Sequence, residues 1–415
     1  MSRSMKAVFG YAAALVLLGL SLAAPVLAGP LEDAVAADDK GDYATALPLL
    51  RQLADQGNAE AQFRLGSMYD QGRGVAHSDA EALKWYRMAA DQGHVNAQYD
   101  LALMYAQGQG VAQDYTEAAK WYVKAANQGD ADSQFNLGVM YGEAQGVAQD
   151  YLEAAKWFGK AAEQGNAAAQ YNLGVMYFVG QGVTQDAAEA AKWFRKAAEQ
   201  GDAVARYNLS ILLNEGKGVP RNAAEGLQWC IKSAEQGYAP AQNILGLAYE
   251  DGNGAPQDYD AAAKWYRTAA ERGYALAQLN FARLYDHGYG VAQDPAQAVN
   301  WIRKSAEQGY ALAENTLGGR YMSGRGVTQD AAEAVKWYRK AAEHGNADAK
   351  NTLGTIYAEG RGVPRDYVRA YAWFSLAMLA GDQHAEANRT IAAQTMTPAE
   401  IAAAEQLAQS AKPGK

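Results

Sequence analysis

The chain has 415 residues, 49% of them apolar, a formal charge of −9 and one cysteine. That acidic balance excludes broad binding to nucleic acid or anionic membranes, which needs positive surface. A single cysteine excludes an intrachain disulfide framework and cysteine-rich metal sites.

Residues 1–28 carry Arg3 and Lys6, then an apolar run from Ala7 to Leu22, then small residues ending in Val26-Leu27-Ala28. This order matches a secretory signal peptide with cleavage after Ala28; an uncleaved membrane anchor is the alternative. Cleavage removes two cations and no acid. The expected product starts near Gly29, is periplasmic or secreted, and inserts in no membrane.

From residue 58 onward one period governs the sequence. Tryptophan stands at 85, 121, 157, 193, 229, 265, 301, 337 and 373, always 36 residues apart. Gly57 and Gly93 open a glycine series of the same period that ends at Gly381. Nine units over 58–381 therefore form one repeat array rather than several globules.

Each unit predicts two helices. In the first, typified by residues 169–177, Ala169, Leu173 and Tyr177 form an apolar stripe at helical spacing. A Gly-x-Gly loop follows. Its second glycine is present in all nine units, and its first is replaced once, by Ala144. The second helix opens on Ser78, Asp114, Asp150, Asp186, Asn222, Asp258, Asp294, Asp330 or Asp366, all N-cap residues worth roughly 0.5–2 kcal/mol each. Glu or Gln three residues on (Glu81, Glu117, Glu153, Glu189, Glu225, Gln297, Glu333) predicts a capping box. Tryptophan is expected to fill the space between the paired helices, opposite a small column that includes Gly66, Gly138 and Gly174.

One such hairpin cannot bury its apolar faces alone, so the units must stack into a continuous core closed by caps. Residues 42–56 predict a lone second helix within an N-terminal cap over 29–57. Within 382–415, Thr397-Pro398-Ala399-Glu400 starts a final helix to about Ser410.

The recurring pattern Leu-Gly-x-Met-Tyr, Gly-x-Gly-Val, Asp-x-x-Glu-Ala, Lys-Trp-Tyr and Ala-Ala-Glu-x-Gly resembles the Sel-1-like repeat family, relatives of tetratricopeptide repeats. The resemblance implies an all-α, right-handed α/α superhelical solenoid that acts as an adaptor and supplies no catalytic residues. Some cysteine-rich bacterial relatives carry a disulfide in each repeat and are linked to penicillin binding or β-lactam hydrolysis. This chain lacks those cysteines.

Chemistry-bearing motifs are scarce. His77, His94, His287, His344 and His384 show no metal-ligand spacing, and no nucleophile or phosphate-loop motif occurs. No cofactor or metal is expected. Glu–Lys pairs three apart, such as Glu117–Lys120 and Glu153–Lys156, read as a solvated face. Cys230 reads as an inert small hydrophobe.

The columns of Tyr171 and Val175 lie roughly opposite the first-helix core stripe, with Asn172 at the flank. They comprise Tyr99/Leu103, Phe135/Val139, Tyr171/Val175 and Tyr207/Ile211 with Asn136, Asn172 and Asn208. Later units turn polar: Asn243/Leu247, Leu279/Arg283, Asn315/Gly319 and Asn351/Thr355. By the resemblance, first helices line a concave face. The columns would then form an aromatic groove edged by amides for a protein or peptide; the alternative is packing between neighbouring helices. The unit 202–237 is the most divergent, and Gly226 in its second helix predicts a soft joint.

Three functions stay in view. They are a non-enzymatic exported adaptor, a secreted factor binding a host protein, and a hydrolase of β-lactams or peptidoglycan.

Overall fold

The computed structural model describes residues 29–410, so the signal segment lies outside the described residues. These residues form helices, with no strand among them. They divide between residues 133 and 134 into two compact units, 29–133 and 134–410.

The first unit holds α1 (Pro30–Asp39), α2 (Tyr43–Asp55), α3 (Ala59–Gln71), α4 (Asp79–Asp91), α5 (Val95–Gln107) and α6 (Tyr115–Asn127). The boundary falls in α7 (Ala131–Glu143). The second unit continues with α8 (Tyr151–Glu163), α9 (Ala167–Val179), α10 (Ala187–Glu199), α11 (Ala203–Glu215), α12 (Ala223–Glu235), α13 (Ala239–Asp251) and α14 (Tyr259–Glu271). It ends with α15 (Ala275–His287), α16 (Pro295–Ala306), α17 (Ala311–Ser323), α18 (Ala331–Glu343), α19 (Ala347–Glu359), α20 (Tyr367–Leu379), α21 (Ala385–Ala393) and α22 (Pro398–Ser410). Within each unit the first and second helices of a repeat pair as hairpins, as α3 does with α4 and α9 with α10, and a second helix also packs on the next first helix, as α4 does on α5 and α8 on α9. The helix predicted to be alone, α2, has a partner in α1 that the repeat period did not reveal. At the other end α22 packs on α20 through Tyr371, Leu376, Ala404 and Ala408.

Helix starts behave as the sequence predicts. Each of the nine N-cap side chains accepts a backbone N–H from the first turn of its helix. The reciprocal half of the predicted capping box is absent in the repeats. The N-cap N–H instead donates to the carbonyl nine residues earlier, as Asp186 does to Tyr177 at 2.9 Å. That bond ties the second helix to the end of the first. Glu81, Glu117, Glu153, Glu189 and Glu333 are left for lysine and Glu225 for Arg195, and Glu117 and Glu225 also accept the indole N–H of Trp121 and Trp229. Among the described residues, only Thr397 and Glu400 exchange both capping bonds.

The tryptophans correct a second expectation. Trp193 packs with Ala154, Phe158 and Ala161 of α8 and with Leu173 and Met176 of α9, so it joins one repeat to the preceding one. Trp85 and Trp337 do the same at their own junctions. The space inside the hairpin belongs to the following aromatic residue. A Cβ on Gly174 would lie 2.8 Å from the Phe194 ring, and one on Gly138 would lie 2.5 Å from Phe158. Where Ser210 replaces this glycine, Cys230 replaces the aromatic. Volume is exchanged across one contact.

The first-helix core is Ala169, Leu173 and Met176, all buried, while Tyr177 is only half-buried. Met176, at i+7 from Ala169, takes the place expected for Tyr177.

The Gly-x-Gly loop separates into two jobs. Its first glycine ends the helix in a left-handed turn, which Ala144 also adopts at φ 59°. At the second, Gly182, an added Cβ would overlap the Tyr151 carbonyl at the start of the preceding repeat's second helix. Only glycine allows that approach.

Candidate functional site

In the first unit Tyr99 and Leu103 are half-buried, and the Tyr99 ring sits 5.9 Å from Tyr122 on the paired helix. In the second unit Phe135 and Tyr171 likewise lean on Phe158 and Phe194, each at 5.8 Å. Tyr207 meets Tyr238 edge-on at 5.3 Å. These side chains flank the core rather than oppose it: the rings of Tyr99, Phe135 and Tyr171 lie against an aromatic residue of the paired second helix, and that of Tyr207 against the N-cap residue of α13.

The outer edges form clefts. Tyr171, Val175, Asn208 and Ile211 converge with Phe178, Phe194 and Leu212 around a cavity of about 280 Å³. Val139, Asn172 and Val175 line a neighbouring cavity of about 350 Å³ with Tyr151, Phe158 and Gln181. Asn136 is half-buried and lines neither. Phe178 escaped the sequence reasoning although it lies seven residues after Tyr171, on the same face.

The asparagines do less for a ligand than their column promised. Asn208 hydrogen-bonds Tyr171, whose phenol burial pushes above its ordinary range. Asn280 donates to Asn243 at 2.9 Å, 37 residues earlier. The flank column thus ties successive first helices together, so packing accounts for part of it.

A second polar column went unread. Gln170 is buried, donates to the Ala162 carbonyl at 3.0 Å and accepts from Gln200 at 2.8 Å. Gln62, Gln98 and Gln278 repeat the arrangement. Each amide bridges consecutive repeats, and the 36-residue recurrence of Gln was the available signal.

Cys230 is buried, and its burial pushes the thiol up to about 12, which removes thiolate reactivity near neutrality. The Glu117–Lys120 and Glu153–Lys156 pairs stand on an exposed face at 2.9 and 2.8 Å. Among the described residues no helix is long and apolar enough to cross a membrane.

The Sel1 repeat model matches nine consecutive segments, from 59–94 to 347–382. The chain belongs to the Sel1 repeat family. It is similar to the crystal structure of c5321, a protective antigen of uropathogenic Escherichia coli strains displaying an SLR fold. Identity is 37%, the match covers 88% of this chain and 94% of that one, and the TM-score is 0.54. A Sel1 repeat protein from Oxalobacter formigenes is 34% identical over 75% of this chain and 90% of its own, with a TM-score of 0.62. No curated protein matches. Sel1 repeats, like tetratricopeptide repeats, commonly serve as scaffolds for protein interaction.

Proposed function

We propose that this Sel1 repeat protein is an exported, non-enzymatic adaptor that holds a protein or peptide partner against the first-helix face of repeats four and five. The observation that carries the proposal is the cleft of Tyr171, Val175, Phe178 and Ile211, an apolar recess between rings already fixed by packing. Pre-ordered rings lose little entropy when a partner docks. Val179, 54% exposed on the same helix, extends the apolar surface outward. Export rests on the arrangement of residues 1–28, and fractionation with N-terminal sequencing tests it: a mature chain starting near Gly29 outside the cytoplasm is expected.

The adaptor is tested by crosslinked capture from periplasmic extract, comparing wild type with Val175→Arg/Ile211→Arg after both show equal helicity. A partner held by wild type and lost by the variant supports the cleft. Equal capture moves the site elsewhere. The likeness to a protective antigen favours a second reading, a surface or secreted factor that binds a host protein. Mature protein in the culture supernatant, together with capture from host material alone, would favour it.

A further inference from the structure

Arg320 occupies the column that holds Met68, Met104, Met140 and Met176 in earlier repeats. Its side chain is only 13% exposed and pairs with Asp286, itself 7% exposed. Charges in a packed column are costly unless fully matched, and these are not. The Nη1 of Arg320 and the Oδ1 of Asp286 are buried without a hydrogen-bond partner. Arg325, half-exposed, donates to the Asp286 backbone carbonyl at 3.4 Å and reaches its carboxylate at 3.7 Å. Arg283 pairs with Glu250 at 2.7 Å, and Tyr266 donates to the same Glu250 oxygen at 2.8 Å.

Three guanidinium groups, Arg283, Arg320 and Arg325, therefore line a cavity of about 380 Å³ with one carboxylate, Asp286, while Glu250, the partner of Arg283, lies outside its lining. This is a locally positive recess in a chain of net charge −9. Its other wall is apolar: Leu279, Ile302 and Leu312, the last 45% exposed. A guanidinium donates two parallel hydrogen bonds to a carboxylate, and both Arg320 and Arg325 line the recess.

We propose that this recess in repeats seven and eight is a carboxylate subsite for a peptide, seating an acidic side chain or chain terminus beside an apolar residue. It rests on the view of the protein as a peptide-binding adaptor and adds a chemical requirement to its partner.

Fluorescence anisotropy with the purified protein tests it. The probes are fluorescein-labelled Ala-Leu-Leu-Glu-Leu-amide and Ala-Ala-Ala-Ala-Leu with a free C-terminus. Their controls are the Gln-containing peptide and the C-terminal amide. At least one acidic probe should bind about tenfold or more tighter than its neutral twin, and which one identifies the carboxylate source. Arg325→Gln should remove the preference. Arg320→Met/Asp286→Ala, which restores residues found in these columns elsewhere, should fold and also lose it. Val175→Arg/Ile211→Arg should keep it, which separates this site from the cleft of repeats four and five. No discrimination between acidic and neutral probes would overturn the subsite, as would a preference retained by the folded double variant. Equal displacement by inorganic phosphate would also overturn it, since it would mark a general anion site.

Discussion

Repeat four and repeat seven share a scaffold and differ on one face. The second helices begin on Asp186 and Asp294 with φ near −150° in both, and the first helices end on Gly180 at φ 77° and Gly288 at φ 74°. Gln170 and Gln278 make the same buried amide bridges. Yet Val175 and Phe178 correspond to Arg283 and Asp286, so an apolar cleft in one region becomes a charged recess in the other. Backbone approach and buried hydrogen bonds hold the scaffold, leaving the face columns free to vary. Partner chemistry should then be written on the face and stability in the shared columns.

The largest effect is expected at the second loop glycine. Gly182→Ala and Gly290→Ala each place a methyl group against the first carbonyl of a preceding helix, Tyr151 and Tyr259, at φ +72° and +61°. Left-handed strain and overlap together should cost about 2–5 kcal/mol in each region. Gly180→Ala should cost only about 1–2 kcal/mol, since Ala144 already adopts that turn. Urea denaturation of the three variants measures this. A mild effect at Gly290 beside a severe one at Gly182 would break the claim of a common scaffold.

The amide ladder comes next. Gln170→Ala leaves the Ala162 carbonyl and the Gln200 amide without their partner, and Gln278→Ala does the same to Ala270 and Gln308. Each should lose about 1–3 kcal/mol. Hydrogen exchange should show the loss at the junction between the two repeats concerned. Protection lost equally along the second unit would instead mean that it unfolds as one body.

These cases show which parts of the molecule a sequence can display. Helix pairs, N-caps and both loop glycines were legible because each answers a local backbone need that recurs every 36 residues. The exchange of roles between Trp193 and Phe194 was not, since adjacent residues on one helix differ in partner only once its rotation against α8 and α9 is known. The Asn column was visible, but its bonds run to the preceding repeat, and spacing cannot tell such a bond from one offered to a ligand. Arg320 interrupts the column of Met176 in plain sight; its significance depends on Asp286 and Arg325 meeting it across two repeats. Gly226 sits close to the first helix of its repeat, a contact its place in the sequence did not show: a Cβ there would lie 3.0 Å from the Ser210 carbonyl and 2.6 Å from Asn214.

The smallest predicted effect extends the comparison to the first unit, where Asp100 stands in the column of Asn172 and Asn208. Burial, then the charges of Asp70 and Asp130, push its carboxyl up to about 7. Because the folded value exceeds the ordinary 3.8, the folded chain binds the proton more tightly than the unfolded chain. The contribution from this group is complete below the ordinary value and is lost as pH rises toward 7. Asp100→Asn removes the titration and restores the residue common in this column. It should therefore stabilise the protein by about 1–2 kcal/mol at pH 8 and change little near pH 4. Thermal unfolding across that range checks the sign. Equal slopes for wild type and variant would mean that the carboxyl stays solvated and that this column tolerates charge in the first unit as the face of repeat seven does in the second.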